Sequence, residues 1–380
     1  MSLTVTDTSA VLVVGGGTAA IEAVLALREL AGDRVVVTVL APEGDFVSRP
    51  AAVLEPFAGG SADHFALDGL VSDAGATLVA GALARVDVAA RQVHTVDGEV
   101  LDYDELILAL GATASERFPL AVTIDPLRLD AQAHGIIQDI EGGYVHTLAF
   151  VVPERIGWPL PIYELALMAA ERAYDANARL DVTVITPELA PLAVFGAQAS
   201  AAVAELLRAA GITVLCDVRA EVPAQGRVAL GPGGPTVVAD HVMALPELVG
   251  PAIAGLPSGD HGFLAVDALG RVHGADHVHA AGDATDGPIK HGGLAAQQAE
   301  TVARDIAASL GAPMASAPAP GRLHGELLTG RKPLYLSVDG DGSRSSASHT
   351  KPWSAPGKVD ARRLAPFLEL HEPAVVRAGR

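Results

Sequence analysis

An apolar, largely β-branched run, AVLVV at residues 10–14, stops at Gly15-Gly16-Gly17. Helix formers at helical spacing follow over 18–30, and VVVTVL at 35–40 reads as a second buried strand. Strand, turn, helix and strand within about thirty residues make the smallest dinucleotide-binding module. Strands this apolar need cover on both faces, so a parallel sheet is expected. In the pattern Gly15-x-Gly17-x-x-Ala20, Gly15 permits the tight turn and Gly17 leaves room for a pyrophosphate. Ala20 allows close helix–strand packing, and the helix N-terminus adds positive potential. The same letters fit an ordinary glycine-rich turn, and their place between strand and helix favours the nucleotide reading. One part is missing. Ala41 stands where an acid would hold the adenosine ribose, and Glu43 follows as either that ligand or a solvated turn carboxylate.

Half the residues are hydrophobic but only 4% are aromatic, so the core must be mostly Ala, Val and Leu. That composition excludes global disorder. A net charge of −19 argues against nucleic acid and against polybasic docking on lipid. The longest charge-free runs, 189–204 and 306–321, are too short to span a membrane and contain Pro191 and Pro313. Residues 1–9 show no signal-peptide pattern, so a cytoplasmic location is expected. Peripheral membrane contact and a homodimer are left open. Cys216 is the only cysteine, which rules out an internal disulfide, a redox dithiol and a Cys-rich metal site. Thirteen histidines never take a metal-ligand spacing, so no metal is assigned.

Residues 76–110 alternate in short strands around Asp97-Gly98, a pattern that predicts an antiparallel meander and a return strand at 105–110. A second strand–helix–strand unit is predicted at 147–152, 161–175 and 181–186, echoing the first. A helix at 197–210, strands at 212–216 and 278–281, a hairpin near 231–234 and a helix at 293–310 follow. Residues 313–321 read as a linker, 339–350 as a flexible loop, and the end beyond Pro373 as a frayed tail.

Five segments in order resemble the FAD-dependent, pyridine-nucleotide-disulfide-oxidoreductase-like flavoproteins that include type II NADH dehydrogenases and sulfide:quinone oxidoreductases. They are the glycine turn, FVSRP with Arg49-Pro50, YDELILALGA with Gly111, VHAAGDAT with Gly282-Asp283, and PIKHGGLAAQQAE. The resemblance runs from residue 10 to about 368. It implies an α/β fold of two Rossmann-like domains, an FAD domain (1–113 plus 259–312) and an NADH-domain-like unit (114–258), with a C-terminal interface segment (322–380). It implies FAD held by Gly15, Gly17, Ala20, Arg49, Pro50, Val86, Gly111, Gly282, Asp283, Gly293 and Leu294, with Glu43 as the open case. It further implies that Lys290 stands at the flavin edge. His291 is either a proton shuttle or a helix-entry histidine. Gln297 and Gln298 either adjoin the acceptor site or lie on the helix surface, and Trp158 either covers a ligand or closes the domain interface.

Two departures from the family matter. The second glycine-rich loop is replaced by VPERIGWPLP at 152–161, with one glycine and three prolines that lack N–H donors. The paired cysteines of sulfide and disulfide chemistry are absent. The expected activity is therefore an FAD-dependent oxidoreductase passing electrons from a small donor other than NADH to a quinone-like or other acceptor. The alternatives are a non-catalytic flavoprotein or scaffold, and an NADH:quinone oxidoreductase with atypical NADH binding.

Overall fold

Strand Ser9–Val14 pairs in parallel with Val35–Ala41 on one side and Glu105–Leu108 on the other. Val278–Ala280 and Thr77–Ala80 complete a five-stranded, all-parallel sheet. The computed structural model describes residues 8–313 and 321–373; most of the predicted linker, the tail after Pro373 and the first seven residues lie outside them. The strands' period of two sorts the first core into halves. Val11, Val13, Val37, Val39 and Ile107 face helices Thr18–Leu30 and Gly292–Ser309. Leu12, Val14, Leu40, Leu106 and Leu108 face the opposite side, which Val86 and Val93 of an antiparallel meander cover. That meander is Leu83–Asp87, Gln92–Thr95 and Val100–Asp102. The Ala-rich helices suit this design, because small side chains let them pack closely on the sheet and on each other.

The second parallel sheet repeats the plan. Its order is Val122–Thr123, His241–Ala244, Thr147–Val151, Asp181–Ile185 and Thr213–Leu215. Leu148, Phe150, Val182 and Val184 pack on helices Leu129–Glu141, Leu160–Asp175 and Gly196–Ala209. Ala149, Val151 and Ile185 pack on a second antiparallel meander that contains Val222 and Val228. Thr113–Ser115 and Glu247–Val249 pair antiparallel where the chain passes between the two sheets.

A three-stranded sheet, Arg322–Leu327, Leu334–Asp339 and Ser345–Ser348, seats Leu323, Leu327 and Leu336 in the second core. The expectation of a flexible loop at 339–350 fails here. Ser345 Oγ donates to Phe195 O (2.6 Å) and accepts from Ala199 N (3.0 Å), fixing the strand to the start of Gly196–Ala209. No helix among the described residues is long and apolar enough to cross a membrane.

Candidate functional site

A cleft of about 1080 Å³ opens at the carboxyl ends of the first sheet, where Val14, Leu40 and Ala109 line it at or beside the strand ends. This is where an open α/β sheet binds ligands. The glycine turn forms its floor. Gly15 has φ of +123°, and a Cβ there would lie 2.3 Å from Ala109 O. A Cβ on Gly17 would meet nothing within 4 Å. Gly17 caps helix Thr18–Leu30 with no side-chain hydrogen bond, and no acid lies in the helix's first turn. Free backbone donors and positive helix potential thus adjoin an open volume, which fits the pyrophosphate of FAD. Ala20 is fully buried behind the turn.

Glu43, Arg49, Pro50, Gly111, Gly282 and Asp283 line the same cleft. Ala41 is buried, while Glu43 is exposed on the wall. Gly282 (φ +76°) lets two helices converge, since a Cβ there would lie 3.1 Å from Ala19 Cβ and 3.3 Å from Ala295 Cβ. Burial raises the Asp283 carboxyl, and the charges of Lys290 and Arg49 oppose that rise.

Several predicted residues lie elsewhere. Val86 is in the core, and its N–H donates to Ala254 O (2.9 Å), so it offers the cleft neither side chain nor donor. Lys290 is not in the cleft wall. Its Nζ sits 3.9 Å over the Phe263 ring and donates to Thr285 O, and burial lowers its pKa. Gln298 accepts from Gly282 N (2.7 Å), shaping the turn next to Asp283. Gln297 bonds Arg322 through both amide atoms (2.8 and 2.9 Å) and fixes the C-terminal sheet. Gly293 is buried, with its Cβ position 3.0 Å from the His291 ring, and Leu294 packs on the second core. His291 precedes the last long helix and contacts Trp158, ring to ring at 4.4 Å; Trp158 contacts Phe195 at 5.6 Å. Trp158 is thus packed between the His291 and Phe195 rings. Burial foremost lowers the His291 pKa to about 4, with Lys358 and His324 adding repulsion.

The sequence reading missed Lys358. It lines the cleft, and its Nζ donates to Pro50 O (3.0 Å) and to Glu164 (2.7 Å). Glu164 has no solvent exposure, belongs to helix Leu160–Asp175 and also accepts from Leu328 N (2.9 Å). Burial raises its pKa, and Lys358 opposes the rise. The signal was present: a lone carboxylate in the apolar stretch PIYELALMAA must be paired if it is buried.

The substituted second loop is fastened. Arg155 Nε donates to Glu247 Oε2 (3.1 Å), its other nitrogens contact Glu247 and His261, and Glu154 pairs with Arg219 at 3.1 Å. Gly157 O accepts from Lys290 N (3.0 Å). Glu188, past the second strand's end, accepts from Tyr163 OH (2.6 Å) and Thr186 Oγ1 (3.0 Å), and burial raises its pKa. Arg155 and Glu188, the groups that could have gripped a second dinucleotide, are thus bound to the protein itself. Cys216 follows a strand of the second sheet, half-buried, with its thiol pushed up by burial.

Residues 9–133 match the family model of pyridine nucleotide-disulphide oxidoreductases. A sulfide:quinone oxidoreductase from Aquifex aeolicus is 18% identical, with 90% of this chain and 87% of that chain covered at a TM-score of 0.79. A ferredoxin reductase from Rhodopseudomonas palustris is 20% identical, with 87% and 83% covered at 0.64. A NAD-dependent persulfide reductase from A. fulgidus is 19% identical, with 87% and 64% covered at 0.57. No curated protein matches the chain. The family model covers residues 9–133, and these solved structures, at 18–20% identity, share the fold.

Proposed function

We propose that the protein is an FAD-dependent oxidoreductase whose electron donor is a small molecule other than NADH or NADPH and whose acceptor is quinone-like or another small molecule. The observation that carries the cofactor is the uncapped helix N-terminus at Gly17, facing an open cleft that Arg49, Gly111 and Asp283 also line. Bound there, FAD would supply two-electron and one-electron transfer. Gly15 and Gly17 hold the pyrophosphate, and Asp283 takes the polar chain between phosphate and ring. Lys358 supplies the cation at the ring end, held by Pro50 and Glu164. The fastened loop at 152–161 supports the exclusion of a nicotinamide donor. The chain's one cysteine, which is not among the cleft-lining residues, speaks against paired-cysteine chemistry.

The test is the visible spectrum of the purified protein with added FAD, before and after anaerobic NADH. A flavin band that NADH leaves intact and dithionite bleaches is expected. A colourless protein that takes up no FAD overturns the proposal. Flavin that no donor reduces would favour a non-catalytic flavoprotein.

A further inference from the structure

We propose that residues 361–373 form a hinged clasp that retains the cofactor, a role that rests on the FAD reading above. Ala361, Leu364, Ala365, Leu368 and His371 line the same cleft as the glycine turn. The segment's root is a buried ionic knot. Glu22, 1% exposed and in the first helix just past the turn, accepts from Leu364 N (2.7 Å) and Arg363 N (3.1 Å). The Arg363 guanidinium also bonds Glu29 (2.7 Å) and Glu300 (3.2 Å), so the knot joins the two helices that cover the first sheet. The tip is held differently. His371 Nε2 meets Asp73 Oδ2 at 3.0 Å, and that carboxylate side chain is 64% exposed.

A fixed root and a lightly held tip make a hinge. Helix Leu364–Leu368 has five residues, too few to be stable without its packing. A single polar contact to a largely exposed carboxylate adds little to hold the tip. Between root and tip, Leu364, Ala365 and Leu368 give the cleft an apolar wall next to the first turn of Thr18–Leu30. A dinucleotide on Gly15–Gly17 would gain contact with that wall and lose it when the tip swings out.

The experiment measures FAD release from the loaded full chain into excess competing apoflavoprotein, followed by flavin fluorescence. A chain ending at Arg363 is expected to release FAD about tenfold faster or more, because such changes act mainly on dissociation. His371→Ala is expected to release it about two- to fivefold faster, the worth of one exposed polar contact. Unchanged release in both variants overturns the clasp while leaving the cofactor reading intact. If the truncated chain fails to fold, His371→Ala decides. A full chain that takes up no FAD overturns the cofactor reading, and the clasp with it.

Discussion

Gly15 and Gly17 lie two residues apart and are required for different reasons. A side chain at Gly15 would strike Ala109 O in a backbone conformation that L-residues rarely adopt. Gly15→Ala should therefore destabilise the fold by about 1–3 kcal/mol, read as a lowered unfolding midpoint. A side chain at Gly17 meets only the open cleft. Gly17→Val should keep the apoprotein's midpoint and abolish FAD uptake in a fluorescence titration; unimpaired uptake would place the pyrophosphate elsewhere. His291 offers a third test at this scale. Its pKa falls from the usual 6.5 to about 4 on folding, so the unfolded chain binds the extra proton between those values. Stability is then complete above about pH 6.5 and is lost as pH falls toward 4, by on the order of 3 kcal/mol. His291→Gln should flatten that acid limb in thermal unfolding run from pH 7 to 4.5. An unchanged limb would show that folding leaves the His291 pKa unshifted.

Among the elements, the loop at 152–161 carries the proposed exclusion of a nicotinamide donor. Anaerobic stopped-flow mixing should show no saturable flavin bleaching at micromolar NADH or NADPH. Each unmatched phosphate oxygen forfeits a charge-assisted hydrogen bond worth roughly 1.5–3 kcal/mol. Fast bleaching would mean that Arg155 leaves Glu247 to grip a phosphate, and Arg155→Ala should then abolish it. The elements that sequence made legible were the periodic ones. The helix expected at 18–30 is Thr18–Leu30, and the strands at 147–152 and 181–186 are there with their ends shortened by one residue. What stayed hidden was specified by partners distant in the chain. Ser345–Ser348 has no apolar alternation, and its order comes from bonds to Phe195 and Ala199. Lys358 sits beside a proline and a glycine, and Glu164 and Pro50, distant in the chain, give it a place. Gln297 and Gln298 have the composition of a helix surface and serve as struts to Arg322 and Gly282.

At the scale of the molecule, the two sheets share one architecture, with helices on one face and an antiparallel meander on the other. The cleft belongs to the first sheet, and the second unit reaches it through Glu164 and Lys358. Glu164→Ala would leave the Lys358 ammonium with Pro50 O as its remaining partner. That variant should lower the FAD-loaded midpoint more than the apo midpoint in differential scanning calorimetry; equal losses would make the pair merely structural. The first sheet is also completed late. Its edge strand Val278–Ala280 and covering helix Gly292–Ser309 are separated from Ser9–Val14 by the whole second sheet. On a ribosome adding about 5–20 residues per second, the apolar face of Thr18–Leu30 waits roughly 15–60 seconds for its partner helix. During synthesis the chain therefore carries an exposed Ala, Val and Leu surface, and the nucleotide site cannot assemble until most of the polypeptide has emerged. A nascent chain stalled at residue 258 should bind chaperones, whereas one that has released residue 312 should not.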